Sequence, residues 1–153
     1  MSSLYPPIKK VLLVDDDEDD FAFFEEALKQ VDPSIRVCHL SSAREVPSDN
    51  EFRLPDLLFL DINMPDKNGF EWLKEIRCRG YVFPVIMYST ASNSAYVQKA
   101  YQEGASLYFP KPESFNTLLA ALKSLLNFDW QQPDKIKQNF VGNGEFRVFD
   151  YRA

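Results

Sequence analysis

The residues best suited to chemistry each stand directly behind a short apolar run. Asp15 and Asp16 follow Val11-Leu12-Leu13-Val14 and open a run of acids that ends at Asp20. Asp61 follows Leu57-Leu58-Phe59-Leu60, Ser89 and Thr90 follow Pro84 to Tyr88, and Lys111 closes a run from Ser106 to Phe109 through Pro110. Asp15, Asp16 and Asp61 crowded at one edge repel one another, so a hard divalent cation is their natural counter-charge. Mg²⁺ takes oxygen ligands and keeps several waters, so one or two direct carboxylates suffice. Lys111 adds a second positive charge, and a hydroxyl at Ser89 adds a hydrogen-bond donor. A metal, a lysine, a hydroxyl and a carboxylate nucleophile are the parts that phosphoryl transfer onto an aspartate requires.

Positioning these groups falls to the apolar runs themselves. Continuous runs of this length suit strands covered on both faces, as in a parallel sheet. The pattern predicts strands over 11–14, 35–40, 57–60, 84–88 and 106–109. Helical stripes lie between them. Phe21, Phe24, Leu28 and Val31 form one, closed by Pro33; Phe70, Leu73 and Ile76 form another before Gly80. A helix over 93–103 stops at Gly104, and the stripe from Phe115 to Leu126 is the strongest in the chain. Over 41–55, Pro47 and Asp49-Asn50 leave room for a short or irregular helix. Strands alternating with helices imply a parallel sheet with helices on both faces. In open sheets of this kind, sites form beyond the carboxyl ends of the strands. The polar residues named above stand at those ends.

The acid run divides on this reading. Asp17 suits an N-cap, and Glu18 to Asp20 suit the positive end of a helix dipole, so Asp17 to Asp20 are expected to be capping or solvated. Asp15 and Asp16 adjoin the buried strand and belong with Asp61 and Lys111.

Composition bounds the rest. The chain has 153 residues, 45% hydrophobic and 14% aromatic, enough for one domain with a real core. A net charge of −6 argues against general nucleic-acid binding, which needs basic residues to neutralise phosphates. It gives no support for an anionic membrane surface. No apolar stretch approaches the roughly 20 residues that span a bilayer. The N-terminus lacks a charged segment followed by an apolar one. Cys38 and Cys78 are expected to be reduced and in or near the core, and His39, the single histidine, to be structural. A cytoplasmic protein is expected.

Together, Val14-Asp15-Asp16, Leu60-Asp61-Ile62-Asn63-Met64-Pro65, Ser89, Gly104-Ala105, Tyr108 and Lys111-Pro112 resemble the receiver domain of two-component response regulators, in its stand-alone, chemotaxis-regulator-like form. The resemblance covers residues 8–126. It implies a flavodoxin-like, doubly wound, five-stranded (βα)5 sheet. It implies that Asp61 accepts a phosphoryl group from a phosphohistidine of a sensor histidine kinase or histidine phosphotransfer protein. Asp16, Asp61 and the backbone carbonyl of Asn63 would ligate Mg²⁺, and Asp15 would hold a metal-bound water. Lys111 would pair with Asp61 and then with the phosphoryl oxygens. Ser89 would bond the new group, with Thr90 the alternative hydroxyl, and Tyr108 would swing inward behind it. That movement couples phosphorylation to the surface of the fifth strand and the helix before it, through which receivers also form homodimers. The Lys111-Pro112 bond would be cis. Ala91, two positions past Ser89, cannot orient the hydrolytic water through a polar side chain.

Residues 127–153 differ in composition. They carry four acids and four bases, so the net charge belongs to residues 1–126. Their aromatics favour an extension packed on the domain, with a hairpin at Gly142-Asn143-Gly144. The extension is short for an output domain. A stand-alone receiver acting on a downstream protein target is expected, phosphorylating from small donors and dephosphorylating itself rather than turning over a substrate. The alternative is a metal-dependent phosphohydrolase working through an aspartyl-phosphate, but the Gly-Thr that such a first strand wants is missing after Asp15-Asp16-Asp17. A flavodoxin-type electron carrier would need a phosphate-cradling loop where the acids stand.

Overall fold

The computed structural model describes residues 5–41, 54–65 and 67–152. Five strands, β1 (Lys10–Val14), β2 (Arg36–Leu40), β3 (Leu57–Leu60), β4 (Val85–Ser89) and β5 (Leu107–Pro110), form one parallel sheet in the order β2-β1-β3-β4-β5. The helices are α1 (Glu18–Val31), α2 (Gly69–Cys78), α3 (Ser94–Gln102), α4 (Phe115–Leu125) and α5 (Pro133–Gln138). The irregular helix expected over 41–55 lies largely outside the described residues. The fold is doubly wound α/β. Among the described residues no helix is long and apolar enough to cross a membrane.

Each strand sends alternate side chains to opposite faces. Leu13, Phe59, Ile86 and Phe109 pack with Phe24 and Leu28 of α1 and Leu118 and Leu122 of α4. Val14, Leu60, Met87 and Tyr108 pack with Trp72 and Ile76 of α2 and Val97 and Tyr101 of α3. Burial on both faces explains why the strands read as unbroken apolar runs. A side-chain cap starts the four longer helices: Asp17, Asn68, Asn93 and Ser114 each accept backbone N–H groups in the first turn.

The chain past α4 packs into the same core. Trp130, Ile136, Phe140 and Phe149 join the α1–α4 face, and the Phe149 ring meets Phe109, Phe128 and Phe140 at centroid separations of 5.5, 5.9 and 5.9 Å. A two-stranded hairpin, β6 (Val141–Gly142) and β7 (Glu145–Phe146), turns at Asn143 and Gly144, whose φ values are 53° and 78°. Positive φ at both central residues is the hairpin turn that Asn-Gly favours. Gln98 of α3 clasps the hairpin: its amide donates to the Phe146 carbonyl at 2.7 Å and accepts from the Phe146 N–H at 3.0 Å. Cys38 is half-buried and Cys78 exposed, both free; Cys78 ends α2 rather than filling the core.

Candidate functional site

β1 lies between β2 and β3, so successive connections leave it in opposite directions and open a crevice at the carboxyl ends of the strands. Asp15 and Asp61 stand side by side there. The Asp15 N–H donates to the Leu40 carbonyl at 3.1 Å, and the Asp61 N–H to the Val14 carbonyl at 2.9 Å. Lys111, one residue past β5, donates its own N–H to the Ser89 carbonyl at 2.9 Å. The sheet thus fixes all three backbones.

The side chains converge. Lys111 Nζ lies 2.6 Å from Asp20 Oδ2, 2.8 Å from Asp15 Oδ2 and 3.3 Å from Asp61 Oδ2. Asp15 is 1% exposed, Asp61 7%, and the Lys111 side chain 9%. Asp15 Oδ1 accepts from the Asp17 N–H at 2.9 Å, and Asp61 Oδ1 from the Ile62 N–H at 2.8 Å. An open cleft of about 720 Å³ lies over these groups, lined by Asp15 to Asp20, Asp61, Asn63 and Thr90.

The electrostatics follow from burial and from the excess of acid. Burial raises the Asp61 pKa; Lys111 opposes this and the Asp15 charge adds to it, leaving it above 3.8. Burial alone would lower the Lys111 pKa, but bonds to Asp15 and Asp20 and the charges of Asp61 and Asp15 outweigh it, so its pKa is raised. The Lys111 ammonium also sits 5.3 Å from the centre of the Tyr88 ring.

Of the residues singled out in the sequence, Asp15, Asp16, Asp61, Asn63 and Thr90 line the cleft and Lys111 reaches Asp15 and Asp61. Ser89 and Tyr108 lie behind it, both fully buried. Their hydroxyls converge on one residue of the loop after β4. Ser89 Oγ accepts from the Ala91 N–H at 3.2 Å, and Tyr108 Oη donates to the Ala91 carbonyl. The Ser89 hydroxyl keeps its own proton to donate. Tyr108 is already inward, and burial pushes its phenol up to about 12. Lys111-Pro112 was expected to be cis; all described peptide bonds are trans, the commoner isomer even before proline.

Three features were not anticipated. Asp20, expected to be solvated, bends back onto Lys111. His39 Nε2 donates to the Asp15 carbonyl at 2.7 Å while its ring stacks on Phe21 at 4.3 Å, bracing the first acid from behind. Gly69 supports Asp61: a Cβ there would fall 2.3 Å from the Asp61 carbonyl oxygen, and its N–H donates to Ile62. Of the three, only the last has a local sequence signal, the turn-forming pair Asn68-Gly69.

The donor set suits Mg²⁺. The donors are hard oxygens, Asp61 is buried beside Asp15, and Lys111 is shared among three acids. No three His, Cys, Asp or Glu side chains there already form a closed ligand cluster. Such a cluster is not needed by an ion that keeps part of its water shell.

The family model of the response regulator receiver domain matches residues 11–123. The chain belongs to that family. A probable C4-dicarboxylate response regulator, DctR of Priestia megaterium, is 30% identical over 145 residues, covering 94% of this chain and 64% of the relative. The chain thus spans less than two thirds of that relative's length. Among solved receivers, the phosphorylated cyanobacterial phytochrome response regulator RcpA is 27% identical with a TM-score of 0.69, covering 81% of this chain and 94% of that one. The chemotaxis response regulator CheY4 of Vibrio cholerae is 28% identical with a TM-score of 0.64, covering 78% and 99%. The receiver family is phosphorylated on an aspartate in two-component signalling, and the phosphohydrolase alternative is not favoured.

Proposed function

We propose that this receiver accepts a phosphoryl group on Asp61 from a phosphohistidine of a sensor histidine kinase or histidine phosphotransfer protein. The observation that carries the reading is the ion-paired set at the strand ends: Lys111 joins Asp61 to Asp15 beneath an open acidic cleft. An Asp61 carboxylate oxygen attacks phosphorus as the phosphorus–nitrogen bond to the donor histidine breaks. Burial makes that carboxylate poorly solvated and more basic than usual. Lys111 then follows the negative charge onto the phosphoryl oxygens.

Asp16, Asp61 and the Asn63 carbonyl would hold Mg²⁺, with Asp15 on a water of the ion, and the ion would supply positive charge to the transferring group. Ser89 donates its hydroxyl proton to a phosphoryl oxygen, with Thr90 as the cleft-lining alternative. Because Ser89 and Tyr108 both hold Ala91, a change at Ser89 is transmitted to Tyr108 and to the face formed by α3 and β5. That face serves a downstream protein or a second copy of the chain, with no direct role for nucleic acid or membrane. The role is signalling in the cytoplasm, with self-catalysed phosphorylation and dephosphorylation and no external turnover.

The test is acetyl phosphate or beryllofluoride with Mg²⁺, read by intact mass or by binding. Wild type should take one adduct and Asp61→Asn none. An equal adduct in both would overturn the assignment.

A further inference from the structure

Asp20 stands in the wrong place for a solvated helix-start acid. It sits in the first turn of α1, where Asp17 Oδ1 accepts its N–H at 3.2 Å and that of Asp19 at 2.9 Å. The cap aims the Asp20 carboxylate across the cleft, and its 2.6 Å contact is the shortest that Lys111 makes. An ammonium has three protons to donate. Asp15, Asp20 and Asp61 take all three directions, with Asp61 at the longest distance.

We propose that Asp20 is a positioning residue for Lys111, holding the ammonium toward α1 in the resting state and competing for it with an anionic group on Asp61. The proposal rests on reading Asp61 as the acceptor. Asp61 hands its place on Lys111 to the phosphoryl group it carries, and the ammonium must move toward that group from its 3.3 Å distance, so a bond on the other side, to Asp15 or to Asp20, must give way. Asp15 is 1% exposed and fixed through its other oxygen to the Asp17 N–H. The Asp20 side chain is 39% exposed, so water can solvate it on release. Asp20 is therefore the partner that lets go at least cost. Its effect is to weaken the hold on an anion at Asp61 and to shorten the life of the phosphorylated state.

The test compares Asp20→Asn with Asp19→Asn. Asp19 is an exposed acid lining the same cleft, and its removal subtracts the same unit charge without touching Lys111. Beryllofluoride binding is titrated at saturating Mg²⁺ for each variant. Asp20→Asn should tighten it about fivefold, the weight of a partly exposed ion pair, while Asp19→Asn should change it much less. Asp20→Glu, which keeps the carboxylate, should return most of the wild-type affinity. In the metal-free protein, the Lys111 ammonium should give a slowly exchanging ¹H–¹⁵N correlation that Asp20→Asn loses and Asp19→Asn keeps. Equal gains in the two Asn variants, or no gain in Asp20→Asn, would overturn the proposal. Beryllofluoride binding that survives Asp61→Asn would instead strike the acceptor reading and take the proposal with it.

Discussion

The Phe149 N–H donates to the Tyr108 carbonyl at 2.7 Å, tying the end of the chain to the edge strand of the sheet. Tyr101 completes the tie. Its hydroxyl accepts from the Tyr108 N–H and donates to the Arg147 carbonyl, both at 3.0 Å. The outward backbone groups of Tyr108 in β5 are thus answered by a tyrosine and by the extension rather than by another strand. Exposed edges invite pairing with other chains, and covering them removes that hazard. The same Tyr108 holds Ala91 beside the cleft, so the extension and the site meet at one residue, the first through its backbone and the second through its phenol.

Tyr101→Phe tests that tie. Tyr101 is 2% exposed, so loss of the hydroxyl leaves the buried Tyr108 N–H without its partner and frees the Arg147 carbonyl. The expected cost is about 1–3 kcal/mol, read by urea unfolding. Amide exchange over residues 146–151 should accelerate more than over α2. Uniform acceleration across the chain would mean that the hydroxyl contributes to global stability without holding the extension locally.

Phe149→Ala asks whether the extension is part of the folding unit. Phe149 is 5% exposed and packs against Phe109 of β5 as well as against Phe128 and Phe140. Truncation of such a ring should cost about 3–5 kcal/mol, with one cooperative transition retained. A loss within about 0.5 kcal/mol, the range of ordinary surface changes, would mark residues 127–152 as peripheral to the core.

The pH dependence of the metal-free protein tests the state of Asp61. Its pKa is raised chiefly by burial, with Lys111 opposing and Asp15 reinforcing. The folded state therefore keeps this proton to a higher pH than the unfolded state does. Stability contributed here is present below the ordinary value of 3.8 and falls as pH rises through the folded-state value. Asp61→Asn removes that loss, while Lys111 keeps Asp15 and Asp20 as partners. At neutral pH the metal-free variant should melt about 2–4 °C above wild type, and the gap should close in acid. An equal or lower melting temperature at neutral pH would contradict the raised pKa.

Much of this was legible in the chain because double-sided burial leaves a plain mark. Leu57 to Leu60 reads as a strand since both faces are covered, and its last residue places Asp61 at the edge. The hairpin was legible because Asn143-Gly144 suits paired positive φ values. What lay hidden depends on register and reach. Asp20 meets a lysine 91 positions away only because the Asp17 cap aims it there. His39 braces Asp15 because β1 and β2 pair in a register that places Leu13 beside it, which no periodicity reveals. Phe149 looked like one more aromatic in a short extension, with no sign that its N–H ends on Tyr108.

Gly69→Ala tests how closely the site depends on backbone contact. Gly69 lies beneath the loop after β3, and an added Cβ would meet the Asp61 carbonyl oxygen at 2.3 Å and Ile62 Cα at 2.8 Å. Both neighbours are backbone, so no side chain can turn aside to make room. Either α2 retreats or Asp61 shifts. Overpacking of this kind costs about 1–3 kcal/mol, a loss that a domain of this length can survive. Asp61 Oδ2 already lies 3.3 Å from Lys111, and a shift of its backbone lengthens that contact. We expect the folded variant to form its acetyl-phosphate adduct at least about tenfold more slowly, since small misplacements of reacting groups carry large rate penalties. Gly80→Ala is the comparison: its backbone is strained for alanine by a φ of 85°, yet no atom lies within 4 Å of the added Cβ. It should lose stability and keep the adduct rate. Equal slowing in the two variants would show that general destabilisation, rather than displacement of Asp61, sets the rate.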